Sequence, residues 1–369
     1  MGGLADTIHD RGQLEEAEKM RREVLDMRIE LLGERHPDTV TATSNLALTL
    51  YSLGQLVEAE RLARQALNMF TGLFGRHHPH TMGTMANLAV TLQDLGQLDE
   101  AKNLEREVLE VQIKLFGERH PDTLRAKGNL AETLRQLGHI EESEKMEQEV
   151  LDARIELLGE RHPDTVTATS NFARTLHSHG QLEEAERLER RIVNMRTEIL
   201  GRRHTDTIVA LGNLAATLWD RGQLDEAEKL EREVLGTQIE LLGERHLDTL
   251  LAKGNLAETL RGGGQLEEAE RLGRDVLNTR IELFGQRHPE TITAMGNLAV
   301  TLGDCGRLEE AESLGRQVVD MRTELVGRCH PDTVLAIENL AVTLRNSGKL
   351  KEAEKLEQEV IDMGNESFE

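Results

Sequence analysis

Apolar residues fall into short stripes at helical spacing, and glycine interrupts them at regular intervals. In PDTVTATSNLALTLYSL, Val40, Leu46, Ala47 and Leu50 recur along one face of a predicted helix. Pro37 suits the first turn, where its missing N–H costs nothing, and Asp38 sits near the positive end of the helix dipole. Beyond Gly54, Leu56, Ala59, Leu62, Ala66 and Leu67 trace the apolar face of a second helix that stops at Gly75. Gly54 lacks the Cβ that opposes a left-handed helix end.

This pair is one copy of a unit. Glycines recur at Gly12, Gly54, Gly96, Gly138, Gly180, Gly222, Gly264, Gly306 and Gly348, always 42 apart, which marks a stacked repeat. A second series, Gly33, Gly75, Gly117, Gly159, Gly201, Gly243, Gly285 and Gly327, halves each period, so two helices per repeat follow. All six prolines (Pro37, Pro79, Pro121, Pro163, Pro289, Pro331) hold the same helix-start position, and none breaks a predicted helix interior. In the second helices, acidic and basic residues four apart, such as Glu18 with Arg22, make a solvated ion-paired face.

The expected fold is all-α: tandem helix-turn-helix repeats stacked into a right-handed α-solenoid superhelix, a single domain over residues 1–369. Leu4, Ala5 and Gly12 match the later half of a first helix, so residues 1–36 read as a partial repeat. A missing N-terminal portion is expected, with eight helix pairs following over 37–369. A longer period overlays the short one. LDMRIELLGERHPDTVTATSN at 25–45 returns as LDARIELLGERHPDTVTATSN at 151–171, and AKGNLAETLR at 126–135 returns at 252–261. Both are 126 residues apart, three repeats, the mark of duplication in blocks of three.

Composition narrows the function. Charged residues make up 30% and aromatics only 2%, while 38% remain apolar, which describes a folded, water-soluble chain with an aliphatic core. The formal charge of −23 repels phosphate backbones and anionic lipid heads, so neither nucleic acid nor membrane is an expected partner. Cys305 and Cys329 have neither the number nor the spacing of a disulfide framework or a zinc site, in keeping with a cytoplasmic setting. Asn365-Glu366-Ser367, a lone glycosylation sequon, is expected to be a chance occurrence.

Catalytic patterns are missing from the sequence. It has no phosphate-cradling Gly-rich loop ending in Lys-Ser/Thr, no HExxH and no GxSxG, and Gly262, Gly263 and Gly264 sit at a helix–helix turn. Histidine recurs at His36, His78, His120, His162, His204, His246, His288 and His330. At that spacing each lies one repeat from the next, so a structural role at the helix start outweighs a metal one. The tighter sets His77, His78, His80 and His177, His179 could bind metal adventitiously but do not make a dedicated site. No enzyme activity, cofactor or metal is expected.

The run NLAxTLxxxGxLxEAE, seen as NLALTLYSLGQLVEAE at 45–60 and nearly so as NLAVTLQDLGQLDEAK at 87–102, resembles the core of tetratricopeptide repeats. The LGxRHPDT linker and the 42-residue period are similar to the repeats of kinesin light chains, and the resemblance covers essentially the whole chain. Long, nearly identical repeats of this type also resemble the C-terminal arrays of nucleotide-binding signalling proteins in fungi. The chain departs from the generic motif by placing Thr43 and Leu50, or Lys127 and Leu134, where aromatics are usual, and no sustained heptad pattern lies outside the repeats.

The resemblance implies a protein-interaction scaffold. Asparagine recurs at Asn45, Asn87, Asn129, Asn171, Asn213, Asn255, Asn297 and Asn339, a position that in such proteins faces the concave groove and bonds a ligand's backbone. A primary amide both donates and accepts, so it can satisfy an extended peptide without reading its sequence; a structural amide bonding the neighbouring repeat is the alternative. In that register the groove carries Arg125, Arg135, Arg174, His177, Trp219 and Arg261, interleaved with Asp94, Glu132, Asp220, Glu258 and Asp304. Glu132 with Arg135, and Glu258 with Arg261, lie three apart and can neutralise each other, so no pure carboxylate clamp is expected. Arg125, Arg135, Arg174 and Trp219 form the candidate anchoring site, because Arg and Trp dominate binding energetics when desolvated; Trp219 packing only between helices is the plainer reading. The expected partner is a protein or peptide segment. The alternative is an architectural solenoid that self-associates end to end through its terminal repeats.

Overall fold

The computed structural model describes residues 14–366, and their regular elements are all α-helices. Leu4, Ala5, Gly12 and Ser367 lie outside the described residues. The chain divides into two compact units, residues 1–188 and 189–369. The first holds α1 (Leu14–Leu32), α2 (Pro37–Ser52), α3 (Leu56–Phe74), α4 (Pro79–Asp94), α5 (Leu98–Phe116), α6 (Pro121–Gln136), α7 (Ile140–Leu158) and α8 (Pro163–Ser178). Helix α9 (Leu182–Leu200) contains the division, and the second unit continues with α10 (Thr205–Asp220), α11 (Leu224–Leu242), α12 (Leu247–Gly262), α13 (Leu266–Phe284), α14 (Pro289–Asp304), α15 (Leu308–Val326), α16 (Pro331–Asn346) and α17 (Leu350–Glu366). Helix α1 and the eight pairs from α2/α3 to α16/α17 are the repeat register predicted from the glycines.

The local chemistry of the helix ends explains the periodic residues. Each recurrent histidine is an N-cap: His36 has extended backbone, and its Nδ1 accepts the Asp38 N–H at 3.2 Å, one of the donors that a helix start leaves unpaired. His120, His204 and His330 repeat that bond. Where the preceding helix ends in phenylalanine, the two rings face each other, with centroids 4.4 Å apart for Phe74 and His78 and 4.6 Å for Phe116 and His120. At the other end, the Gln55 N–H reaches the Leu50 carbonyl and the Gly54 N–H the Tyr51 carbonyl, both at 2.9 Å. That double bond pattern needs a left-handed residue, and Gly54 has φ 73°.

Each unit has its own aliphatic core. In the first, Leu46 and Leu50 of α2, Leu62 of α3, and Met85, Leu88 and Leu92 of α4 are buried together. In the second, Ile292, Leu298 and Leu302 of α14 meet Val318 and Val319 of α15 and Leu340 and Leu344 of α16. Leu56 is only half-buried, while Ala59, Leu62, Ala66 and Leu67 are buried as predicted. Burial of one such leucine is worth about 1.5–3 kcal/mol, so small aliphatic side chains suffice where generic repeats use aromatic rings.

The charged second-helix face carries more than solubility. Arg22 pairs with Glu18 on its own helix at 2.9 Å and with Glu58 of the next second helix at 3.1 Å. The same fork recurs at Arg64 with Glu60 and Glu100, Arg232 with Glu228 and Glu268, and Arg274 with Glu270 and Glu310. Each rung is partly exposed and contributes at most about 1 kcal/mol. Gln148 stands at the arginine position of α7, where it bonds Asp152 at 2.8 Å, and Glu184 turns to Arg187 instead.

Candidate functional site

The ninth residue of every first helix from α2 to α16 is the recurrent asparagine. Its neighbours Leu46 and Ala47 go into the core, which leaves Asn45 with Thr41 and Leu48 on the opposite, half-exposed side. Asn45, Asn87, Asn129 and Asn171 are half-buried, and Asn213, Asn255, Asn297 and Asn339 are exposed. The carbonyls of Asn45, Asn87, Asn129, Asn297 and Asn339 accept threonine hydroxyls one turn on, as in Thr91 to Asn87 at 3.0 Å and Thr343 to Asn339 at 3.0 Å. Among the described residues none of the eight side-chain amides hydrogen-bonds another protein group.

In the first unit the predicted arginines are already engaged. Glu132 of α6 receives Arg135 at 2.6 Å from its own helix and Arg174 of α8 at 2.7 Å, so two of the three arginines converge on one carboxylate. Burial pushes that carboxyl up, but hydrogen bonds from Arg135 and Gln136 and the charge of Arg174 carry it below its ordinary value. Arg125 stands apart, exposed and paired with Asp122 at 2.9 Å. In the second unit Arg261 pairs with Asp304 of the next first helix at 2.9 Å, closer than Glu258 at 3.9 Å. Trp219 is half-buried, its indole N–H without an acceptor, and a Cβ on Gly262 would lie 3.4 Å from that nitrogen. The ring thus packs against the end of α12.

Beneath the asparagine face lies a feature that the sequence reading passed over. The eighth residue of successive second helices is Glu105, Glu147, Glu189 and Glu231, each almost fully buried. Glu105 accepts the Thr133 hydroxyl of α6 at 2.6 Å and Gln93 of α4 at 3.3 Å. Glu147, 1% exposed, has an Oε2 with no partner. Desolvation pushes all four carboxyls up to about 7, and the threonine hydroxyls near Glu105, Glu189 and Glu231 and the charge of Arg174 near Glu147 offset only part of it. The 42-residue recurrence of Glu at one register, flanked by Ala63 before it and Gly273 and Gly315 after it, was the available signal.

The same position in α13 and α15 is Gly273 and Gly315. There the floor opens. A cavity of about 460 Å³ extends over α12, α13, α14 and α16 and is lined by Gly273, Asn255, Asn297 and Asn339. A smaller one of about 60 Å³ lies over Gly315, between α14 and α16. Leu251 and Leu335 stand at the rim, 56% and 57% exposed.

The tetratricopeptide repeat pattern matches residues 1–72, 80–156, 165–206, 206–282, 248–324 and 290–366. The chain belongs to the tetratricopeptide repeat family. No curated protein matches it. Nearly identical repeats of a candidate kinesin light chain from Podosopora anserina share 26% identity, over 56% of this chain and 97% of theirs, with a TM-score of 0.51. The fold alone is shared with a Rap protein solved with competence and sporulation factor, at 12% identity over 99% of this chain and 97% of that one, TM-score 0.65. The same holds for the quorum sensor NprR of B. thuringiensis, at 12% identity over 98% and 97%, TM-score 0.65.

Within this tetratricopeptide array the clustered histidines have structural partners. His78 and His80 stack with Phe70 and Phe74, and His179 pairs with Glu144. Among the described residues no three potential ligands gather around a metal-sized space, and no helix is long and apolar enough to cross a membrane. A second recurrent surface is the apolar pair closing the second helices from α1 to α15, such as Leu115 with Phe116 and Leu241 with Leu242, which stays exposed.

Proposed function

We propose that this tetratricopeptide chain is a non-enzymatic interaction scaffold that captures an extended peptide or protein segment along its asparagine face, the concave groove of the array. The observation that carries the reading is the set of side-chain amides left without protein partners on one register of the first helices. An extended segment has an unpaired N–H and C=O at every residue, and an amide satisfies either. The Rap protein of the same fold, solved with its factor, supports the assignment. The repeat chemistry suits the recognition array of a larger signalling protein, and the free thiols of Cys305 and Cys329 suit the cytoplasm. A net charge of −23 turns the scaffold away from nucleic acid.

The test is a peptide-array and pull-down comparison of the intact chain with an Asn129→Ala, Asn171→Ala, Asn213→Ala variant of unchanged helicity. Loss of partners is expected. Retention of every partner would make the amides incidental. Light scattering that grows with protein concentration in both proteins would point instead to the self-associating solenoid.

A further inference from the structure

We propose that the second unit selects aliphatic side chains: an extended segment bearing two aliphatic residues and a basic one seats over Gly273 and Gly315. The proposal rests on the groove reading above and adds what the groove chooses. Main-chain capture by asparagine is indifferent to sequence, so selection must come from what lies between and beneath the amides.

Beneath them the repeats differ at one position. Glu231 of α11 fills it with a buried carboxylate, whereas at Gly273 and Gly315 there is no side chain and Leu298 and Leu340 lean over the glycine. Both glycines lie inside helices with ordinary backbone, so no turn geometry requires them. Their space faces Leu298 and Leu340, whose Cδ1 atoms would sit 3.3 Å and 3.2 Å from an added Cβ. Leu298, Val276, Val300 and Leu335 around the glycine floor offer an inserted side chain apolar contact, while the charged groups of the same cavity, Arg280 with Glu290 and Arg261 with Asp304, already hold one another.

Two polar features complete the site. The Arg280 side chain is 8% exposed and lines the larger cavity; its Nη atoms hold Glu290, at 2.7 Å to the carbonyl and 3.1 Å to the carboxylate, while its Nε is buried without an acceptor. Arg322, lining the smaller cavity, has the same unpartnered Nε, with its Nη groups on Asp332 at 2.5 Å and Thr293 at 3.2 Å. Glu338 stands exposed on α16 at a register position that is Gly254 and Gly296 in α12 and α14, and no basic residue pairs with it among the described residues. It is the natural partner of a lysine or arginine in the ligand. Helices in contact lie about 8–10 Å apart and an extended chain advances about 3.3 Å per residue, so the aliphatic residues are about three positions apart.

Fluorescein-labelled peptides about nine residues long, carrying Leu or Ala at the two aliphatic positions and Lys or Asp at the third, are titrated by anisotropy into the full chain. The wild type is expected to prefer the Leu peptides by roughly tenfold or more. Gly273→Glu with Gly315→Glu, which restores the residue of the earlier repeats, removes that preference while the Ala peptides bind as before. Gly273→Ala with Gly315→Ala, a milder filling, reduces it in part. Glu338→Gln erases the preference for Lys over Asp. Equal binding of Leu and Ala peptides by the wild type, or an undiminished preference in the filled variants, overturns the selectivity proposal. In that case the groove reading stands if Asn255→Ala, Asn297→Ala, Asn339→Ala weakens all peptides alike. Failure of every peptide to bind the wild type overturns both.

Discussion

The floor beneath α4, α6 and α8 is closed by Glu105 and Glu147, and the floor beneath α14 and α16 is opened by Gly273 and Gly315. The backbones obey one pattern: the same helix lengths, the same histidine caps and the same left-handed glycine turns. What differs is one side chain per repeat. Burying a carboxylate costs free energy that its neighbours return only in part, and removing the side chain leaves a cavity that costs dispersion contacts. A solenoid whose repeats contact only their neighbours tolerates both, since each penalty stays local. The face follows the floor. Charged groups that hold one another, Arg135 and Arg174 on Glu132, lie over the closed part, and exposed Leu335 and Val342 over the open part.

The largest effects should come from the buried leucines of the first helices above these floors. Leu130→Ala, at the same helix position on α6, and Leu340→Ala, above Gly315, should each cost about 2–5 kcal/mol in denaturant unfolding. Only the second should enlarge a slot and admit a longer aliphatic peptide side chain, and equal peptide selectivity in both variants would erase the distinction.

Next in size is the pH dependence of the closed floor. Glu147 has its ordinary value of 4.5 in the unfolded chain and about 7 in the fold, so between these the fold binds a proton that the unfolded chain does not. The stability it contributes is complete below about 4.5 and is lost as the pH rises through about 7. Glu147→Gln, which cannot ionise, should therefore stabilise by about 1–3 kcal/mol at high pH and by little at low pH. Thermal unfolding of both proteins across that range checks the sign, and a pH-independent difference would mean that Glu147 is not protonated in the fold.

Glycines separate turn from floor at a smaller scale. Gly264→Ala, at φ 77°, should cost about 1–2 kcal/mol through backbone strain alone. Gly273→Ala, in ordinary helix, should be nearly neutral, its gain in helix propensity of about 1 kcal/mol offset by the 3.3 Å approach to Leu298. The smallest effect belongs to Arg174→Ala: one half-exposed ion pair, worth about 0.5 kcal/mol, whose loss should show as a raised Glu132 pKa by NMR titration and hardly in the melting temperature.

Much of this was legible in the chain. The period of the glycines, the prolines at one position and the stripes from Val40 to Leu67 define helix order and boundaries, because caps and turns depend on residues a few positions apart. The Glu132–Arg135 pair was legible for the same reason, lying one turn apart on a single helix. The role of the histidines was half legible: their place at the helix start was plain, but the acceptor bond from Nδ1 to the second N–H needs the cap's backbone angles.

Sequence alone thus determined the all-α repeat, its register and the line of asparagines, all of which follow from short-range periodicity. Tertiary structure decided which groups on that line are free. Arg174 is quenched by a glutamate one whole repeat away, and Arg261 turns from its near neighbour Glu258 to Asp304. The eighth residue of a second helix becomes a buried acid or an open slot only when the next repeat closes over it. Burial is a property of the assembled neighbours, and no spacing along a single helix encodes it.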